Sequence, residues 1–142
     1  MKGSKRVRVQ GRGCVYTFEL RRNITILAGD SGTGKTTLYE LIADHTRSAD
    51  SGVVVECQGA RDCVALVDLD WRNQLSHTRE SIVIVDEGFS PITSAEFAET
   101  IAGTDNYYLL ITRSNLFQIP YSVDEIYRIK TSGKRYHSFV PL

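Results

Sequence analysis

The chain of 142 residues has no net formal charge, with 17 basic and 17 acidic side chains. It has no apolar run near the roughly 20 residues that a membrane helix needs; Ile82–Val85 spans four. No membrane insertion is therefore expected. The start, Met1-Lys2-Gly3-Ser4-Lys5-Arg6, has charge but no apolar stretch behind it, so no signal peptide is expected. Cysteine is scarce and odd in number (Cys14, Cys57, Cys63). With no CxxC spacing, this excludes a disulfide framework or a zinc finger and predicts reduced thiols in a cytoplasmic protein. Three prolines and 11 glycines exclude a collagen-like chain. Hydrophobic residues at 42% and charged residues at 24% are those of an ordinary globular domain, which excludes disorder. The length suits one domain and one core.

The zero charge is a sum over unlike parts. Residues 1–22 carry seven basic side chains and one acid, and residues 128–142 carry four basic side chains and none. The middle, 23–127, carries six basic and sixteen acidic ones. The expected organisation is a single domain over 1–142: a basic hairpin at 1–22, an acidic core at 23–127 and a basic strand at 128–142. The basic ends form a candidate face for a nucleic acid or an acidic partner.

Alternation in Val7-Arg8-Val9 and in Val15-Tyr16-Thr17-Phe18, around Gly11-Arg12-Gly13, predicts an antiparallel hairpin over 5–20. Residues 23–28 read as a strand that ends in a Gly-rich segment. A helix is expected from Lys35 to about Thr46, with Leu38, Leu41, Ile42 and His45 on one face. Strands are expected at 53–57 and 63–69, and a short polar helix within 70–79. Ile82–Val85 and Tyr107–Ile111 read as strands buried on both faces. A helix over 94–102 has Ser94 as its N-cap, and the last strands lie at 125–130 and 135–140. Alternating strands and helices predict an α/β fold, a mainly parallel β-sheet flanked by helices, with antiparallel strands added by both ends.

Gly29-Asp30-Ser31-Gly32-Thr33-Gly34-Lys35-Thr36 fits G-x-x-x-x-G-K-[ST]. A polyphosphate needs many donors and little bulk. Glycines at 29, 32 and 34 let backbone N–H groups converge, and the helix opening at Lys35 adds its positive end. Lys35 reaches the β- and γ-phosphates, Thr36 ligates Mg²⁺, and Thr37 follows in the first turn. Ile82-Val83-Ile84-Val85-Asp86-Glu87 is a buried strand that ends in two acids, at the edge where open parallel sheets bind ligands. Asp86 is the expected metal ligand, and Glu87 the residue that polarises an attacking water. If the strand ending in Thr112-Arg113 lies between these two, both residues face the γ-phosphate.

These residues resemble a P-loop NTPase of the additional-strand (ASCE) class. Within it, Phe18 to Ile24, the loop, Leu38 to Ala43, Ser51-Gly52-Val53 and Gly59 resemble the start of a minimal ABC-type or AAA-like ATPase. Thr112-Arg113 stands where ABC-type ATPases have a Thr-His pair. The 49 residues between Thr36 and Asp86 are too few for the ABC helical subdomain, and no LSGGQ-like signature is present. The resemblance implies ATP or GTP with Mg²⁺ as cofactor and hydrolysis coupled to self-association or a partner protein. Two alternatives stand beside it. A small P-loop kinase would use Asp68 and Asp70 to orient an acceptor, with Arg72 or Arg79 as a lid. A non-hydrolysing nucleotide-binding module would act through a partner.

Overall fold

The computed structural model describes residues 3–29, 34–67, 69–112, 121 and 125–142. The hairpin comes first: β1 (Lys5–Gly11) and β2 (Cys14–Leu20), paired antiparallel from Lys5↔Leu20 to Gly11↔Cys14. Its two-residue turn has Arg12 at φ 49° and Gly13 at φ 75°. That left-handed pair matches the twist of the flanking strands. Glycine takes it freely and arginine does not. Arg12 is held there by ion pairs to Glu40 at 2.9 Å and Asp44 at 2.6 Å, which tie the turn to the helix α1 (Lys35–Arg47).

The remaining elements are β3 (Ile24–Leu27), β4 (Val54–Gln58), β5 (Cys63–Ala65), α2 (Trp71–Ser76), β6 (Ile82–Val85), a 3-10 turn (Ser90–Thr93), α3 (Ala95–Ala102), β7 (Tyr107–Ile111), β8 (Ile126–Ser132) and β9 (Tyr136–Pro141). All nine strands join one sheet in the order β4-β1-β2-β9-β8-β3-β7-β6-β5. Parallel ladders run through β8-β3-β7-β6-β5 and between β2 and β9; β4-β1, β1-β2 and β9-β8 are antiparallel.

The mainly parallel sheet flanked by helices is not what forms. The sheet is mixed and curls into a nearly closed barrel with few helices. The cause is the terminal strands. They continue the core sheet, because β9 pairs with both β8 and β2, and β1 then accepts β4. Twist accumulated over nine strands brings the edge strands β4 and β5 close together. Helix α1 packs at this seam, against β1 and β4 on one side and β5 and β6 on the other.

Two apolar layers result. Inside the curl, Leu38, Leu41 and Ile42 of α1 meet Val7, Val9, Tyr16, Phe18, Leu27, Ile84 and Leu109. Outside it, Trp71 and Leu75 of α2 and Phe97 and Ile101 of α3 cover Ile26, Val83, Val85 and Leu110. This explains why β6 and β7 are buried at every residue, as their unbroken apolar runs require. The outer face of β8-β9-β2-β1 carries none of these helices. Strand β5 stops at Ala65, short of 69: Leu66 O accepts from the Tyr39 hydroxyl at 2.8 Å, and the Gln74 side chain satisfies Ala65 O at 2.8 Å and Val67 N at 3.0 Å on the free edge.

Leu41 is fully buried in the inner layer. Leu41→Ala is expected to lower the unfolding free energy by about 2–5 kcal/mol. Urea titration followed by circular dichroism measures it; a loss under about 0.5 kcal/mol, the size of a surface substitution, would contradict the packing of α1 at the seam.

Candidate functional site

Strand β7 lies between β3 and β6, with Leu27↔Ile111 on one side and Val85↔Leu110 on the other. The C-terminal ends of three adjacent parallel strands are thereby aligned. Gly29 follows β3, Thr112 follows β7 and Asp86 follows β6. The Thr112 N–H donates to Leu27 O at 3.3 Å, holding Thr112 beside the exit toward Gly29. Asp30, Ser31, Gly32, Thr33 and Arg113 lie outside the described residues, as does Asp68.

The chain returns at Gly34, the N-cap of α1, with φ 97°. Two constraints require glycine there. The left-handed backbone is one. The other is space, since a Cβ would stand 3.1 Å from the Tyr16 hydroxyl oxygen. That hydroxyl donates to Gly34 O at 2.8 Å, and the Tyr16 ring stacks on His137 with centroids 4.4 Å apart. The hairpin and the last strand thus support the start of α1 from behind. Burial pushes the Tyr16 phenol up to about 12, opposed by a hydrogen bond with Thr37. Burial also lowers the His137 imidazole from its ordinary value. Tyr16 is core, so it offers no face to a nucleotide base.

Lys35 is 3% exposed, and its ammonium donates to Gly29 O. The two ends of the loop are closed on each other by this bond. Among the described residues no carboxylate pairs with Lys35. The first turn of α1 has no acidic residue and no side-chain cap. Among the described residues, a buried cation and the positive end of a 13-residue helix therefore meet with no carboxylate paired to them. Thr36 is exposed and Thr37 half-buried in that turn.

Asp86 presents the complementary feature. Its Oδ1 is buried and has no hydrogen-bond partner among the described residues. A carboxylate oxygen in that state fits a cation. Tyr39, one turn beyond Lys35 on α1, donates to Leu66 O at 2.8 Å. Its phenol is raised first by burial and second by the charge of Asp86, so α1 and the end of β6 are electrostatic neighbours. Tyr39 is the residue that sequence reasoning missed. Its signal was the i, i+4 spacing from Lys35, which puts both on one helix face. Glu87 is exposed in the turn closed by the Phe89 N–H bonding to Asp86 O at 3.1 Å. Among the described residues, Gly29, Gly34, Lys35, Thr36 and Thr37 meet at the start of α1, while Thr112 and Asp86 follow the adjacent strands β7 and β6, with Glu87 next to Asp86. Among the described residues no group of three or more His, Cys, Asp or Glu could hold a metal. Thr36 offers a hydroxyl and Asp86 a carboxylate toward the expected Mg²⁺.

Two of the residues singled out for an acceptor site, Asp70 and Arg72, are engaged elsewhere. The Asp70 side chain caps α2, accepting from Asn73 N at 3.4 Å. Arg72 pairs with Glu96 and lies over the Trp71 ring at 4.5 Å. Trp71 itself is buried against Phe89 and Phe97. A cavity of about 660 Å³, lined by Asn23, Ile24, Ala98, Ile101, Tyr108 and Glu125 among others, opens at the opposite, N-terminal ends of β3 and β7. Among the described residues no helix is long and apolar enough to cross a membrane. The chain matches no protein-family model and no curated protein.

Tyr16 prefers to stay protonated in the fold, about 12 against an unfolded value near 10. The folded state then holds more protons than the unfolded state between those values, so its contribution is complete below pH 10 and is lost as pH rises toward about 12. Tyr16→Phe is expected to flatten the alkaline fall in stability over that window. Denaturant midpoints at pH 9, 10 and 11 measure it, and an unchanged slope would contradict the buried, donating hydroxyl.

Proposed function

We propose that the chain is a Mg²⁺-dependent nucleoside triphosphatase that hydrolyses ATP or GTP at the edge formed by Gly29, Lys35, Asp86 and Thr112. The observation that carries this is the buried Lys35 ammonium, without a carboxylate partner among the described residues, at the N-terminus of α1. A polyphosphate supplies the missing negative charge. The motif from Gly29 to Thr36 would provide the backbone donors. The fold is a nearly closed mixed barrel, so the reading rests on this local arrangement and on the resemblance of the loop to P-loop ATPases, not on the overall architecture.

The chain's residues then divide the work. Lys35 exchanges the Gly29 carbonyl for β- and γ-phosphate oxygens, so its charge is already in place when the transition state forms. Thr36 and Asp86 would hold Mg²⁺, which supplies neutralisation of phosphate charge when bound. Glu87 accepts a hydrogen bond from water and turns its lone pair toward the γ-phosphorus. As that oxygen attacks, its proton passes to the Glu87 carboxylate and the bond from the γ-phosphorus to the bridging oxygen breaks, releasing a nucleoside diphosphate and inorganic phosphate. Thr112 and Arg113 follow the central strand and are assigned to the γ-phosphate side. Hydrolysis is favoured over transfer to an acceptor because Asp70 and Arg72 are engaged in a cap and an ion pair. Free Cys14, Cys57 and Cys63 suit a reducing compartment such as the cytoplasm.

Two substitutions separate binding from chemistry. Lys35→Ala is expected to abolish binding of a fluorescent Mg²⁺-nucleotide. Glu87→Gln is expected to keep binding and to lower steady-state phosphate release by about 10²–10⁴-fold, the range of general-base catalysis. Unchanged release in Glu87→Gln would remove Glu87 from the mechanism; retained binding in Lys35→Ala would remove the site.

A further inference from the structure

Among the described residues, no helix packs on the outward face of β1, β2, β9 and β8. Side chains alternate across a strand, and cross-strand partners share a face. Val7, Val9, Phe18, Ile129 and Phe139 point inward to the core. Their neighbours Arg6, Arg8, Thr17, Arg128, Lys130 and Ser138 therefore point out. The registers Arg8↔Thr17, Thr17↔Ser138 and Lys130↔Ser138 place a row of Arg, Thr, Ser and Lys across four strands, with Glu56 of β4 beyond Arg8 at its edge. Arg6 opposes Glu19, and Arg128 opposes Val140, in the next row. The two basic chain ends, more than a hundred residues apart in sequence, thus become one patch through the parallel β2–β9 ladder.

Glu19 is shared by Arg6 and Arg21, each at 4.0 Å. Among the described residues Arg8, Arg128 and Lys130 have no ion-pair partner. At one end of the face Tyr136 is 54% exposed, with the Arg135 guanidinium 5.7 Å from its ring centre. Arg12 does not belong to this patch, since it turns toward α1 and pairs with Glu40 and Asp44.

We infer that this face binds single-stranded nucleic acid. Spaced cations with hydroxyls between them suit a chain of phosphates. An exposed tyrosine beside a guanidinium offers a ring on which an unpaired base can stack. An acidic peptide would use the cations alone and would have no use for the ring. The inference is independent of the nucleotide site, because none of its residues borders Lys35 or Asp86.

The test is fluorescence anisotropy of a labelled 20-nucleotide oligo-dT and of a labelled polyglutamate peptide, without nucleoside triphosphate, from 50 to 300 mM salt. Oligo-dT is expected to bind and to weaken linearly on a log–log salt plot. Arg8→Gln with Lys130→Gln is expected to make that slope shallower by about 1.4, for two lost phosphate contacts. Tyr136→Ala is expected to weaken binding about fivefold or more with the slope unchanged. Arg12→Ala is expected to leave both unchanged. Thermal melts establish that each variant is folded. Absence of oligo-dT binding at 50 mM salt would overturn the inference. So would polyglutamate binding as tightly as oligo-dT, or affinity that ignores the Arg8/Lys130 double substitution.

Discussion

Lys35 carries a positive charge out of solvent, and its bonded neighbour is a backbone carbonyl. The amide N–H groups opening α1 add positive potential at the same point. Such a concentration of one sign is costly while it stays uncompensated. The surrounding elements nevertheless hold it in place. Tyr16 fixes Gly34 from the hairpin side, His137 stacks beneath Tyr16, and Tyr39 anchors the next turn of α1 to the end of β5. The inner core that α1 shares with β1 and β2 then keeps the loop's two ends together.

The same edge carries the opposite charge a short way off. Asp86 ends a strand buried at every residue, and one of its oxygens has no hydrogen-bond partner among the described residues. The two do not neutralise each other directly: Asp86 is not an ion-pair partner of Lys35. A bound polyphosphate with its metal would answer both, the phosphates at Lys35 and the metal at Asp86. This pairing, more than either residue alone, is what the proposed function rests on.

Local structure was legible where one physical signal dominated. The unbroken apolar runs at 82–85 and 107–111 gave strands with those bounds, because burial on both faces leaves no alternation to misread. Ser94 was readable as a cap, since its hydroxyl accepts from Phe97 N at 3.1 Å. The order of the strands was legible only in part. Placing the 107–111 strand between the other two was a condition in the sequence, and the register supplies it. The overall architecture was misread because pairing partners far apart in the chain leave no local trace. Nothing in Val15-Tyr16-Thr17 announces that it lies parallel to Tyr136-His137-Ser138. That ladder turns two peripheral ends into the continuation of one sheet and so curls it nearly shut. The same ladder merges the two basic ends and leaves Arg12 out, a division that charge counting could not make.

The location of bound nucleotide tests the central claim most directly. Backbone amide chemical shifts of the isotopically labelled protein, followed during titration with a non-hydrolysable Mg²⁺-nucleotide, report where it sits. The largest changes are predicted at residues 29–37, at Asp86 to Gly88 and at Thr112, with the cavity residues Ile24, Ala98 and Tyr108 unmoved. Changes centred on that cavity or on the bare sheet face, or none at millimolar nucleotide, would contradict a phosphate site at the end of β3.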